Sequence, residues 1–117
     1  HVLLVEDDAE TALSLTTLLK LAGAEVRTAA SGAAALEMLA QGPVDAIVSD
    51  IGLPDMDGYA LLRRIKADPQ WARLKAIALT GRNRQTDVGA ATQAGFDTHL
   101  PKPLDFGLLL AALAEPR

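Results

Sequence analysis

Apolar residues in this chain come in short blocks, and most of the strand-like blocks end on a polar residue able to do chemistry. Val2-Leu-Leu-Val5 is a continuous apolar run that stops at Glu6-Asp7-Asp8, the pattern of a buried parallel strand feeding an acidic loop. A helix is predicted over 9–22, where Leu13, Leu18 and Leu21 recur near helical spacing and Gly23 supplies the stop. Residues 24–28 alternate as a strand would, and Ser31 then caps a helix over 32–40 that Gly42-Pro43 ends. Residues 44–48 read as a third strand running out at Ser49-Asp50. The loop from Ile51 to Asp57 leads into an amphipathic helix over 58–67, with Pro54 and Asp57-Gly58 serving turn geometry and helix entry.

Beyond Asp68-Pro69, a loop carrying Trp71 precedes a fourth strand over 76–79 that ends at Thr80-Gly81. A helix over 86–94 is weakly specified because Gly89 interrupts it. A short strand over 98–100 leads to Pro101-Lys102-Pro103, and a leucine-rich helix over 106–114 follows with Asp105 as its cap. Leu108, Leu109, Leu110 and Leu113 cannot all lie on one core stripe of that helix, so part of it is expected to face outward. Strands alternating with helices predict an α/β fold: a doubly wound five-stranded parallel sheet of order 2-1-3-4-5, its crossovers right-handed. In such sheets ligands bind beyond the carboxyl ends of the strands, where strand order reverses. Glu6, Asp7, Asp50, Thr80 and Lys102 would all meet there.

Composition narrows the reading. The 117 residues suit a single domain, and an aromatic share of only 3% leaves the core to Leu, Ala, Val and Ile. The absence of cysteine removes disulfides, thiolate metal sites and thiol nucleophiles. A net charge of -4 argues against direct nucleic-acid binding and for a protein partner. No apolar run approaches the roughly 20 residues needed to cross a bilayer, so a soluble, cytoplasmic domain is expected. The chain opens with His1 directly on a strand, which suggests a segment of a longer multidomain protein. No repeat, linker or low-complexity stretch interrupts it.

A carboxylate can attack phosphorus to give an aspartyl phosphate, but two anions must then approach each other. Mg2+, or Mn2+ in its place, neutralises that charge through hard oxygen ligands, which Glu6, Asp7 and Asp50 could supply. An ammonium and a hydroxyl can hold the remaining phosphoryl oxygens, and Lys102 and Thr80 are the candidates. Singly, each residue has a plainer role: Asp8 as a helix cap, Asp50 as a loop acid, Lys102 as a solvated cation. Delivery of acid, acid, hydroxyl and amine to one crevice from separate strand ends favours a functional site.

The segments 2–8, Ser49-Asp-Ile-Gly-Leu-Pro-Asp-Met-Asp-Gly58, Ala78-Leu-Thr-Gly81 and Lys102-Pro103 resemble the receiver domains of two-component signalling along essentially the whole chain. The resemblance implies a flavodoxin-like fold and phosphorylation of Asp50 by a histidine kinase or a histidine phosphotransfer protein. It implies a metal held by Asp7 and Asp50 directly, by Glu6 largely through water, and by the backbone carbonyl of Gly52. Spacing to Asp50 matches Asp7, not Asp8, to the family's metal-binding acid. Thr80 takes the place of the switch hydroxyl and Lys102 that of the phosphate-pairing lysine. Receivers usually carry Tyr or Phe three residues before that lysine; here His99 stands in the switch position. Arg82 lies where it could influence access of water to the phosphoryl group, and Pro103 is placed for a cis peptide that aims Lys102. The segment is most like receivers of hybrid sensor kinases or multidomain chemotaxis-type proteins, which implies an attached or separate output domain and admits a homodimer.

Three other readings fit less well. A phosphohydrolase with an aspartyl-phosphate intermediate wants a second acid where Gly52 stands. A receiver that binds partners without phosphorylation would lack an acid or the lysine. A nucleotide-binding module would want a glycine-rich first loop in place of an acidic one.

Overall fold

In the computed structural model, which describes residues 1–80, 94–102 and 104–114, five strands form one parallel sheet of order β2-β1-β3-β4-β5. The strands are β1 (Val2–Val5), β2 (Val26–Ala29), β3 (Ala46–Asp50), β4 (Lys75–Thr80) and β5 (Thr98–Pro101). Helices α1 (Ala9–Leu21), α2 (Gly32–Leu39) and α3 (Gly58–Lys66) and a C-terminal helix (Phe106–Ala114) connect or flank them. The expected strand order is therefore observed. The helix expected over 86–94 falls, except for Ala94, outside the described residues, as do Gly81, Arg82, Gly89 and Pro103.

Alternation along each strand divides the core in two. Leu3 and Val5 of β1 pack with Ile47, Ala76 and Ala78 against Ala35 and Leu39 of α2 and Leu61, Leu62 and Ile65 of α3. Val2 and Leu4 point the other way, joining Val48, Ile77 and Leu79 against Leu15 and Leu19 of α1 and Leu109 of the C-terminal helix. Helices thus cover both faces, and every central strand is apolar on both sides.

The leucines that predicted α1 do not form its buried stripe. Leu13 is 69% exposed, Leu21 80% and Leu18 41%, whereas Leu15 and Leu19 are buried with Ala12 beside them. A Leu-rich helix offers several overlapping 3.6-residue series, and only docking against the sheet selects one. Strand boundaries also shift: β2 and β3 each begin two residues later than the sequence predicts, because pairing with β1 starts at Val26 and Ala46. Trp71 belongs to a 3-10 turn (Pro69–Trp71), not a plain loop, and packs half-buried against the α2/α3 side of the core.

The capping expectations fare unevenly. Ser31 accepts from the Ala34 amide at 3.1 Å, Asp57 from Ala60 at 2.7 Å and Asp105 from Leu108 at 3.3 Å. Asp8 does sit at the N-cap of α1, but its carboxylate takes the Thr11 hydroxyl and no backbone amide of the helix. In the C-terminal helix Leu109 is buried, Leu110 and Leu113 are partly so and Leu108 is 54% exposed, as the crowding of leucines predicts.

Candidate functional site

The carboxyl ends of β1, β3, β4 and β5 bring the expected residues to one crevice. Register explains how: Val5 pairs with Ser49, Asp50 with Leu79, and Thr80 with Pro101, so the residues that follow or end these strands share a level. Carboxylate oxygens of Glu6, Asp7 and Asp50 lie within 4.8 Å of one another. Lys102 reaches in from beyond β5, its ammonium 3.0 Å from Glu6 Oε2 and 3.4 Å from Asp50 Oδ2.

Burial grades the three acids. Glu6 is 3% exposed, Asp50 is half-buried and Asp7 faces solvent. Taking Glu6 out of water raises its carboxyl above the ordinary range, against the Lys102 hydrogen bond and charge, which favour the anion. Burial draws the Lys102 ammonium down, but the hydrogen bond to Glu6 and the charges of Asp50 and Glu6 outweigh it and hold the ammonium above its ordinary value. Glu6 Oε1 also accepts from the Asp8 amide at 3.2 Å, which fixes the acidic turn relative to the strand. Three clustered carboxylate oxygens at the carboxyl ends of β1 and β3 can supply part of the oxygen shell of a hard divalent cation, and the Lys102 ammonium compensates part of their charge.

The backbone around Asp50 is tightly held. Its carboxylate Oδ1 accepts from the Gly52 amide at 3.3 Å, and its carbonyl accepts from the Ser49 hydroxyl at 3.0 Å. The Gly58 amide donates to the Ile51 carbonyl at 2.7 Å, and Gly52 and Asp57 form an isolated bridge, closing the loop at its base. A Cβ at Gly58 would lie 2.7 Å from the Asp50 carbonyl and 2.9 Å from Ile51 Cα, both backbone atoms that cannot step aside. Glycine is therefore required for α3 to begin directly behind Asp50.

Thr80 is buried, and its hydroxyl donates to the Leu100 carbonyl at 3.4 Å, at the long limit of such a bond. The Lys102 amide donates to the Thr80 carbonyl at 2.8 Å, tying the lysine to the end of β4. His99 is half-buried on β5, paired in register with Ala78. Glu6, Asp7, Asp50 and Lys102 are thus in direct proximity, Thr80 ends β4 at the same level with its hydroxyl on Leu100, Gly52 follows in the loop after β3, and His99 is set back along β5.

Two features were not read from the sequence. The direct Lys102–Glu6 pair joins residues 96 positions apart, and sequence spacing carries no trace of it. Asp55, in the loop after Asp50, accepts from the Gly32 and Ala33 amides of α2, both at 2.9 Å. Those two hydrogen bonds hold its carboxyl below the ordinary range. No helix is long and apolar enough to cross a membrane among the described residues.

Comparison with known proteins agrees with this geometry. The model of the response regulator receiver domain family matches residues 2–114. The transcriptional regulatory protein AfsQ1 of Streptomyces coelicolor is 38% identical over 112 residues, covering 96% of this chain and 48% of its own length. The receiver domain of a signal transduction histidine kinase from Syntrophus aciditrophicus superposes with a TM-score of 0.87 at 31% identity, covering 96% and 85% of the two chains. The chemotaxis response regulator CheY4 of Vibrio cholerae gives a TM-score of 0.88 at 28% identity, covering 96% and 93%. The chain spans about half the length of the transcriptional regulator it matches. An acidic crevice at the switch point of a 2-1-3-4-5 sheet, a lysine paired into it and a family match over nearly every residue lead to one conclusion: this chain belongs to the response regulator receiver domains of two-component systems.

Proposed function

We propose that Asp50 accepts a phosphoryl group from a phosphohistidine, on a histidine kinase or a histidine phosphotransfer protein, and that Mg2+ is bound for the transfer. The observation that carries this reading is the cluster itself: three carboxylates within 4.8 Å of one another, with the Lys102 ammonium 3.4 Å from Asp50. A carboxylate oxygen of Asp50 attacks phosphorus, the phosphorus–nitrogen bond of the donor breaks, and its electron pair returns to the imidazole. Glu6, Asp7 and Asp50, with the Gly52 carbonyl, would hold the metal. When bound, Mg2+ (or Mn2+) offsets the charge of the two anions that must meet.

The chain's own groups do the positioning. The Lys102 ammonium, already oriented by Glu6, is placed to pair with a phosphoryl oxygen. The Thr80 hydroxyl gives up only a long bond to Leu100 in turning toward a second oxygen, so the cost of switching is low. That turn changes the packing at the end of β4 beside half-buried His99, and it biases the surface of β5 and the C-terminal helix, where Leu108 is exposed. An output domain, attached or separate, or a second copy of the receiver reads that surface. Hydrolysis of the aspartyl phosphate resets it.

Incubation with Mg2+ and acetyl phosphate, followed by intact-mass measurement, tests the assignment. Wild-type protein gains the mass of one phosphoryl group and Asp50→Asn gains none. An unchanged wild-type mass in protein shown to bind Mg2+ would favour a receiver that works without phosphorylation; a mass gain surviving in Asp50→Asn would place the acceptor elsewhere.

A further inference from the structure

Closing a loop at its base does not fix its tip. The seven residues from Ile51 to Asp57 are joined at the base by the Gly58–Ile51 hydrogen bond and the Gly52–Asp57 bridge. Leu53 and Met56 rest half-buried against the core, but Pro54 and Asp55 between them face solvent, where exposed loop backbone samples many conformations. In this chain the tip is fastened to a different element. Asp55 Oδ1 and Oδ2 accept from the Gly32 and Ala33 amides, both at 2.9 Å, one oxygen to each. Met56 packs on the same turn: a Cβ at Gly32 would lie 2.7 Å from both Met56 Cγ and Sδ.

The first turn of α2 has a cap of its own, since Ser31 Oγ accepts from Ala34 and the Ser31 carbonyl from Ala35. Ser31 leaves Gly32 and Ala33 as orphan donors, and a helix start presents such amides with a favourable dipole for an anion. The loop after β3 supplies that anion. The contact therefore does more than finish α2: it anchors the segment that carries Gly52 at a second point, apart from the base of the loop.

We propose that Asp55 is a positioning residue for metal binding, pinning the loop tip to α2 so that Gly52 and Asp50 keep one arrangement. This inference rests on the metal site assigned above. It predicts that the tether acts on the loop, whereas Ser31, at the same helix end, acts on α2 alone.

The test compares Asp55→Ala, Asp55→Asn and Ser31→Ala with the wild type. Mg2+ affinity is measured by calorimetry on unphosphorylated protein, and amide hydrogen exchange of Gly52 and Leu53 on metal-free protein. Asp55→Ala is expected to weaken Mg2+ binding by about tenfold, the scale of a lost outer-shell partner. It should also speed exchange at both amides, which in the wild type donate to Asp50 Oδ1 and the Ile51 carbonyl. Asp55→Asn, keeping one acceptor oxygen, falls between, and Ser31→Ala changes neither quantity. Wild-type affinity and exchange in Asp55→Ala, or equal losses in Asp55→Ala and Ser31→Ala, would overturn the proposal and reduce Asp55 to a helix cap. A wild type that bound no Mg2+ would overturn the metal reading and this proposal together.

Discussion

At the level of single residues, Lys102 and Glu6 set a buried carboxylate directly against an ammonium. Glu6 is nearly inaccessible, and the lysine is the cation that keeps its charge tolerable. Removing one partner of such a pair leaves the other desolvated and unpaired, which costs more than the pair itself contributes. Lys102→Met should therefore destabilise metal-free protein by about 1–3 kcal/mol near pH 8. The sign with pH follows from Glu6, whose folded-state carboxyl already lies above its ordinary value because of burial and rises further without Lys102. An acid raised in this way loses folded-state stability as pH climbs above its unfolded value, about 4.3. Urea midpoints of variant and wild type should accordingly lie closer together at pH 5 than at pH 8. A gap independent of pH would place the cost in packing of the lysine stem.

Among the elements, α1 separates what periodicity can and cannot say. Its existence and its ends are legible, since an apolar-rich stretch runs from an acidic turn to Gly23 and nothing in it opposes a helix. Its buried face is not legible, because Leu13, Leu18 and Leu21 make as good a series as Leu15 and Leu19 until the sheet is in place. Leu19→Ala should cost about 2–5 kcal/mol through lost burial and a residual cavity, whereas Leu21→Ala should stay within about 0.5 kcal/mol. Chemical denaturation of the two variants checks this, and comparable losses would reassign the core face. The tether from Asp55 to α2 shows the same limit: its aspartate stands in a turn motif that accounts for it locally, and the two amides it serves lie 22 and 23 residues earlier.

At the scale of the whole molecule, the proposed metal binding would be linked to folding, because the three carboxylates converge only when β1 and β3 are paired. Mg2+ at about one hundred times its dissociation constant should stabilise the native state by about 2.7 kcal/mol and raise the melting temperature by on the order of 10 °C. Calorimetric scans with and without Mg2+ read this directly; Asp7→Asn should largely abolish the rise, and a full rise in that variant would remove Asp7 from the site. The sequence by itself determined the fold class, the strand order and the identity of the crevice residues. Strand ends are marked in the chain where apolar runs meet polar residues, and parallel connections leave few ways to arrange them. Only the tertiary structure decided which leucines α1 buries, that Lys102 rests on Glu6 as well as Asp50, and that Asp55 joins the loop after β3 to α2. Each of these is a contact between distant segments, chosen by packing and desolvation once the sheet has formed, and local pattern does not encode it.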